Sequence, residues 1–436
     1  MININKIQVG IVAMLFLGSC IVQKPEQAVQ QDDITRIINT LSSDEMEGRG
    51  TFTPGIDKAA RFIESEFKKI GLQPLAGDDD FRQEFTVTRI SPALTSVMID
   101  GKNINFANII AMSEKAFLEM SNTSGASIVK IAAGEQFAAK YRVALGSKTP
   151  VLVLVDQSHS AIFKRLQDNA KRGRIVEKPG DSPGAVFVLG ETEAGSFSVK
   201  ANSKVESLSL FNVAGMIPGK SREKELVLFS AHYDHLGMIA SVEGDSIANG
   251  ADDDASGTTA VISLAKYYKQ LKNNERTLIF VAFTAEEIGG FGAKYFSSKL
   301  NPDDVVAMFN IEMIGKESKF GKNAAFITGY ERSDFGEILQ KNLDGTDFKF
   351  HPDPYPTQNL FYRSDNATLA ALGVPAHTIS TDQIDSDKFY HTVNDEFETL
   401  DPINILSTIK AIALSARSIV AGTDTPKRIP KLEPRQ

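Results

Sequence analysis

Between residues 208 and 420 short apolar runs alternate with segments of helical periodicity, an order that only a few architectures accommodate. Strand-like runs fall at 225–230, 277–283, 305–311, 324–328 and 376–380. Helical spacing occupies 258–271, 335–343 and 402–420. This alternation specifies an α/β fold with a mostly parallel central sheet flanked by helices on both faces. At 436 residues the chain has room for one such domain and a smaller module.

An amphipathic helix is expected earlier in the chain. Thr53-Pro54 reads as an N-cap followed by proline at the first helical position. Behind it Ile56, Ala59, Ala60, Ile63, Phe67 and Ile70 recur at helical spacing, and Gly71 supplies a stop. From 92 to 205 the pattern changes: 151–155 and 185–189 are continuous apolar runs, 161–171 fits a helix between them, and Lys178-Pro179-Gly180-Asp181 is a turn or loop. No histidine–carboxylate cluster occurs there, so this stretch is expected to be an inserted α/β or β-rich module without chemistry of its own. Residues 34–91 and 206–422 then form the main domain and 423–436 a polar tail, of which 427–436 is expected to fray.

A hydrophobic content of 42% and a charged content of 23% are those of an ordinary globular protein. The formal charge of −8 provides no concentrated basic face, which sets nucleic acid aside as a partner. Residues 1–19 are expected to be an export signal: Lys6 lies in a short polar start, and the apolar run 9–17 is too short for a permanent membrane helix. The run ends in Leu17-Gly18-Ser19-Cys20, which resembles the lipobox of bacterial lipoproteins, and Cys20 is the chain's single cysteine. Lipidation at Cys20 would tether the protein to the cell envelope through the polar segment 20–33, on the periplasmic or outer surface.

In an open α/β sheet, ligands bind just beyond the carboxyl ends of the strands. Here the expected strand 225–230 runs into Ala231-His232-Tyr233-Asp234-His235, 277–283 into Thr284-Ala285-Glu286-Glu287, and 305–311 into Glu312. The loop Asp252-Asp253-Asp254 precedes a helix. Alone, three aspartates are a solvated turn and two glutamates a helix start favoured by the macrodipole. Together, on one edge of one sheet, imidazole and carboxylates are a ligand set that suits zinc, and so many carboxylates would repel one another without a cation among them. His159, His351 and His377 carry no comparable context and receive no role.

These segments resemble the M28 family of zinc aminopeptidases. His232-Tyr233-Asp234-His235-Leu236-Gly237 is similar to the family's first metal motif, and Asn249 through Gly257 to the second. Phe283-Thr284-Ala285-Glu286-Glu287, Asn310-Ile311-Glu312-Met313-Ile314-Gly315 and Tyr390-His391-Thr392 are similar to the remaining three. Glu47-Gly48-Arg49-Gly50 resembles the opening of secreted members, and the insert a diverged protease-associated domain. The resemblance implies two zinc ions bridged by Asp253, with His232 and Glu312 completing one and Glu287 and His391 the other. It further implies Glu286 as general base, Asp234 as the group orienting His232, and Tyr390 as a donor to the oxyanion. The substrates implied are peptides with a free N-terminus. Glu312 departs from the family's usual aspartate; its extra methylene requires a folded-back side chain or a shifted metal, and bears on the second zinc. Two alternatives remain open: a glutaminyl cyclase-like zinc acyltransferase, and a binding module on a catalytically dead fold.

Overall fold

The computed structural model describes residues 28–433; Cys20 and the apolar run before it lie outside them. Helices α1 (Gln31–Leu41) and α2 (Pro54–Ile70) lead into a long antiparallel pair, β1 (Arg82–Ile99) and β2 (Phe197–Ile217). After them come β3 (Arg222–His232), helix α3 (Gly257–Leu271), β4 (Arg276–Phe283) and α4 (Phe291–Ser298). The chain continues through β5 (Val305–Ile311), β6 (Ala324–Ile327), α5 (Phe335–Asn342), β7 (Lys349–Pro352), α6 (Asn366–Ala371), β8 (Ala376–Ser380) and α7 (Pro402–Ser415).

These strands belong to one mixed eleven-stranded sheet, ordered β7-β6-β8-β5-β3-β4-β2-β1 along its main path. Its centre, β8-β5-β3-β4, is parallel. Successive side chains of a strand point to opposite faces, and both faces here are covered. Val227, Phe229 and Ala231 of β3 pack with α1, α2, α3 and α7 on one side, while Leu228 packs with Ala293 and Phe296 of α4 and Leu369 of α6 on the other. Double-sided burial is why these strands read as continuous apolar runs. Helix α2 has proline in its first turn and ends at Gly71 with φ +80°, burying Ile56, Ala59, Ala60, Ile63 and Phe67.

The smaller module is a four-stranded sheet ordered Ile109–Met112, Ala185–Leu189, Val151–Val155, Ser127–Ile131. One face packs on the outer ends of β1 and β2 through Leu152, Leu154, Val97 and Val199; the other packs on helices through Val153, Phe163 and Phe187. Strands β1 and β2 run past the expected edges at 92 and 205, from the main sheet to the module. The local mark of the transition is a register shift between Pro92 and Thr95, where proline removes a ladder donor.

Both terminal expectations also need correction. The tether is shorter than 20–33: Ala28 and Val29 are buried and α1 begins at Gln31, because its polar residues occupy only the outer face. The tail does not fray over its described length. Ile429 is buried against the α4–α6 side of the sheet, and Arg428 donates to the carbonyls of Val305 and Pro302. The expected helix 402–420 is divided at Ala416 into Pro402–Ser415 and Arg417–Val420.

His377, on β8, is fully buried and stacks on Phe335. Its Nδ1 lies 2.8 Å from the Thr328 carbonyl and its Nε2 2.8 Å from the Ser333 hydroxyl, a neutral tautomer donating to the first and accepting from the second. Burial pushes its pKa down to about 4. The unfolded chain therefore binds the proton more readily, so stability present above pH 6.5 is lost as pH falls from there to about 4. The loss is on the order of 3 kcal/mol. Denaturant midpoints across that window should fall, and should fall less in His377→Gln; parallel curves for the two proteins would refute the assignment.

Candidate metal and catalytic site

The parallel strands end nearly level, because His232 of β3 pairs with Phe283 of β4 and Ser230 with Asn310 of β5. His232 is the last residue of its strand, Glu312 follows the last residue of β5, and Glu286 and Glu287 lie in the turn beyond β4. Asp253 arrives from the irregular turn Ala251–Ser256 ahead of α3, and His391 from the loop after β8.

Asp253 is the centre of the cluster. Its Oδ1 lies 3.1 Å from His232 Nε2 and its Oδ2 3.3 Å from His391 Nε2. His391 Nε2 is also 3.3 Å from Glu287 Oε2. Each oxygen of one carboxylate thus addresses a different imidazole. Glu312 borders the same cleft as Asp253, Glu286, Tyr390 and His391, and burial raises its pKa. Tyr390 stacks on His391 with ring centres 3.8 Å apart.

Of the three consecutive aspartates, only Asp253 borders the cleft. Asp254 accepts from the amides of His232, Gly257 and Met313, tying together the ends of β3 and β5 and the start of α3. Asp252 accepts from the Gly315 amide at 2.7 Å and faces Lys316 Nζ at 3.2 Å. Asp395 takes the amides of both Asp252 and Asp253. Arg49, fully buried, donates to the carbonyls of Leu41, Tyr233, Asn249, Gly250 and Asp253 at 2.5–3.3 Å. The turn carrying Asp253 is held by its amides and its carbonyls alike.

Asp234 has a wider role than the one expected for it. His232 Nδ1 is 3.1 Å from the Asp234 backbone carbonyl and 3.8 Å from its carboxylate, so the backbone makes the nearer contact. The carboxylate accepts from the amides of Glu286 and Glu287 and from the Thr51 hydroxyl. Asp234 therefore sets the turn that presents both glutamates.

The local field demands positive charge. Burial alone would lower the His232 pKa, yet its hydrogen bond to Asp253 and the charge of Glu286 raise it well above the usual value. Against burial, Asp253 and Glu287 raise His391 to about 10. Burial would raise Asp253, but the bond from His232 and the neighbouring His235 and His391 hold it well below the carboxylate range. Glu286, buried beside Glu312 and Asp365, is pushed well up. In this field a protonated imidazole takes the part of a cation.

The donor set fits zinc. Glu287 Oε1, Glu312 Oε2 and both nitrogens of His235 are buried without an aligned hydrogen-bond partner among the described residues. His235, Asp253 and Glu287 offer ligand atoms all within 4.8 Å of one another. His235 was assigned no role from sequence although it stands in the first motif; its Nδ1 is 2.9 Å from Glu287 Oε1 and 3.8 Å from Asp253 Oδ2. Its spacing three residues after His232 is the signal that marks it as a further donor beside Glu287. Arg49 stands in the Glu47–Gly50 stretch without a role readable there, and Asp395 has no signal, because hydrogen bonds to backbone leave no residue pattern.

Residues 212–416 match the family model described as Peptidase family M28. The chain is 28% identical over 239 residues to leucine aminopeptidase 1 of Paracoccidioides brasiliensis, covering 50% of this chain and 59% of the relative. It is 22% identical over 237 residues to aminopeptidase YwaD of Bacillus subtilis, covering 50% and 47%. The chain thus spans about three fifths of the length of the first of these relatives and about half of the second. Its fold is that of an aminopeptidase from Aneurinibacillus sp. strain AM-1, with TM-score 0.53, 19% identity and coverage of 94% and 97%. A zinc aminopeptidase from Bacillus subtilis gives the same TM-score at 17% identity, with 91% and 97% covered.

Proposed function

We propose, from the premise that this chain belongs to peptidase family M28 through residues 212–416, that it is a zinc-dependent aminopeptidase releasing N-terminal residues from peptides. The observation that carries this reading is Asp253, one oxygen toward His232 and the other toward His391, with Glu286 and Tyr390 on the same cleft. His232, Asp253 and Glu312 would hold one ion, and Asp253, Glu287 and His391 a second, with His235 beside the latter. When bound, zinc supplies Lewis-acid activation of water and of the scissile carbonyl near neutral pH.

The remaining work falls to the chain's own groups. Glu286 takes a proton from the attacking water and returns it to the leaving amine, from a carboxyl that borders the cleft. The Tyr390 hydroxyl donates to the oxyanion of the tetrahedral carbon. The carboxylates of the donor cluster around Asp253 would receive the substrate's α-ammonium, which selects a chain terminus over an internal bond. Donors on both sides of one bridging carboxylate favour hydrolysis over the one-zinc cyclase alternative, and a complete set of acid, base and ligands disfavours a dead fold.

Chelation is the direct test. Dialysis against a strong chelator should abolish hydrolysis of aminoacyl amides, lower the melting temperature and remove zinc measurable by mass spectrometry, with all three restored on adding zinc. Undiminished hydrolysis by metal-free protein would end the proposal. Export and lipid attachment belong to the same reading and rest on Leu17-Gly18-Ser19-Cys20 behind the apolar run. Labelled fatty acid should enter the wild-type protein and not Cys20→Ala; equal labelling, or none in either, would refute attachment there.

A further inference from the structure

The cleft that contains the candidate centre runs past the metal donors to the end of β8 and holds one carboxyl that the chemistry above leaves unused. Asp382 borders it, two residues beyond β8, and is only 6% exposed. Its Oδ1 is buried without a hydrogen-bond partner among the described residues, while its amide donates to the Ser380 hydroxyl. Lys316, the nearby cation, is engaged by Asp387 at 2.6 Å and Asp252 at 3.2 Å. Burial, with Asp252 and Asp387 adding negative charge, pushes the Asp382 pKa up to about 8, the mark of a carboxyl short of positive charge.

The surroundings describe what would satisfy it. Phe326, Leu360 and Ile384 line the cleft with apolar surface, and Thr328 adds a hydroxyl. The cleft encloses about 140 Å³, shared between the space beside the metal donors and the apolar end near Asp382. An aliphatic stem that can lie along such walls and end in a cluster of donors is that of lysine, or the longer arginine. Arg363 lines the cleft too, but it is exposed, where water screens its repulsion.

We propose that Asp382 is the specificity-determining residue of this cleft, accepting the cationic end of the substrate's N-terminal side chain and selecting lysyl and arginyl over leucyl termini. The proposal rests on the aminopeptidase reading and adds its substrate class. A leucine side chain in this cleft would leave the carboxyl buried and unpaired, which is the physical source of discrimination.

Two measurements on the zinc-loaded full chain separate this inference from the reading beneath it. Calorimetric titration with L-lysinamide and L-leucinamide, done in the Glu286→Ala background so that neither amide is turned over, is expected to show lysinamide binding at least about tenfold more tightly. Asp382→Asn should erase that difference while leaving leucinamide within about threefold, and Asp382→Ser provides the same comparison if the first variant does not fold. In the hydrolysis of lysyl, leucyl and glutamyl amides, kcat/KM for lysyl should fall about 10²-fold in the variant and leucyl should stay nearly unchanged. Equal affinity for the two amides, parallel losses for both, or a glutamyl preference abolished by Arg363→Met would overturn the role of Asp382. Selective lysinamide binding without hydrolysis of any amide would instead overturn the aminopeptidase reading and uphold the assignment of the cleft.

Discussion

Replacing Glu286 with alanine is expected to lower kcat by about 10²–10⁴-fold while zinc content and KM change little. The reason is positional. The Glu286 amide is fixed to Asp234 Oδ1 at 3.1 Å, so its carboxyl is presented to the cleft beside Asp253 and Tyr390 rather than joined to the imidazoles. Glu287, the next residue, makes the imidazole contacts instead, at 2.9 Å to His235 and 3.3 Å to His391. On the proposed reading the two adjacent carboxylates divide into a proton carrier and a metal donor. Glu287→Ala should consequently lose metal as well as rate, and Glu286→Gln should behave like Glu286→Ala. Steady-state kinetics paired with zinc analysis on the three variants checks the division. Near-normal turnover in Glu286→Ala would remove the general base from the mechanism.

The second large effect is on stability. Arg49→Met is expected to destabilise the protein by about 3–5 kcal/mol, as when one partner of a buried charged network is removed. Five backbone carbonyls would lose their donor, four of them in the segments that carry Tyr233 and the Asp253 turn. The buried carboxylates Asp253, Asp395, Asp254 and Asp234 would also lose the cation nearest their backbone side. Arg49→Lys should recover only part of the loss, since one ammonium cannot span five acceptors fixed around a planar fork. Urea unfolding of chelated protein isolates this term from metal binding. A shift below about 1 kcal/mol would show that the carbonyls find other partners.

Much of the fold was legible because burial on both faces writes itself into the chain. The continuous apolar runs Val151–Val155 and Ala185–Leu189, and the strand-like segments Val305–Ile311 and Ala376–Ser380, are strands in the structure with those limits. Helix α2 begins at its proline and stops at its glycine, where backbone geometry and residue type coincide. The long pair β1–β2 was not legible. Its residues alternate between buried and exposed with irregular phase, and its pairing joins positions more than a hundred residues apart, such as Arg82 with Val213. Ile429 was misjudged for a related reason: a single apolar residue in a polar tail has no periodicity, and only contact with a finished core gives it a place.

For the candidate site the division lies between chemistry and placement. Residue type and position at strand ends were enough to nominate His232, Asp253, Glu286, Glu287, Glu312, Tyr390 and His391, because metal-ligand chemistry admits few side chains and a parallel sheet gathers them at one edge. Sequence alone could not separate Asp253 from its neighbours on physical grounds, nor find Arg49, Asp395 or the carboxyl of Asp382. Those distinctions depend on which atoms meet backbone and which meet open space, and that is decided only when segments about 140 to 200 residues apart pack together, as Arg49 does with Gly250 and Asp253 with His391.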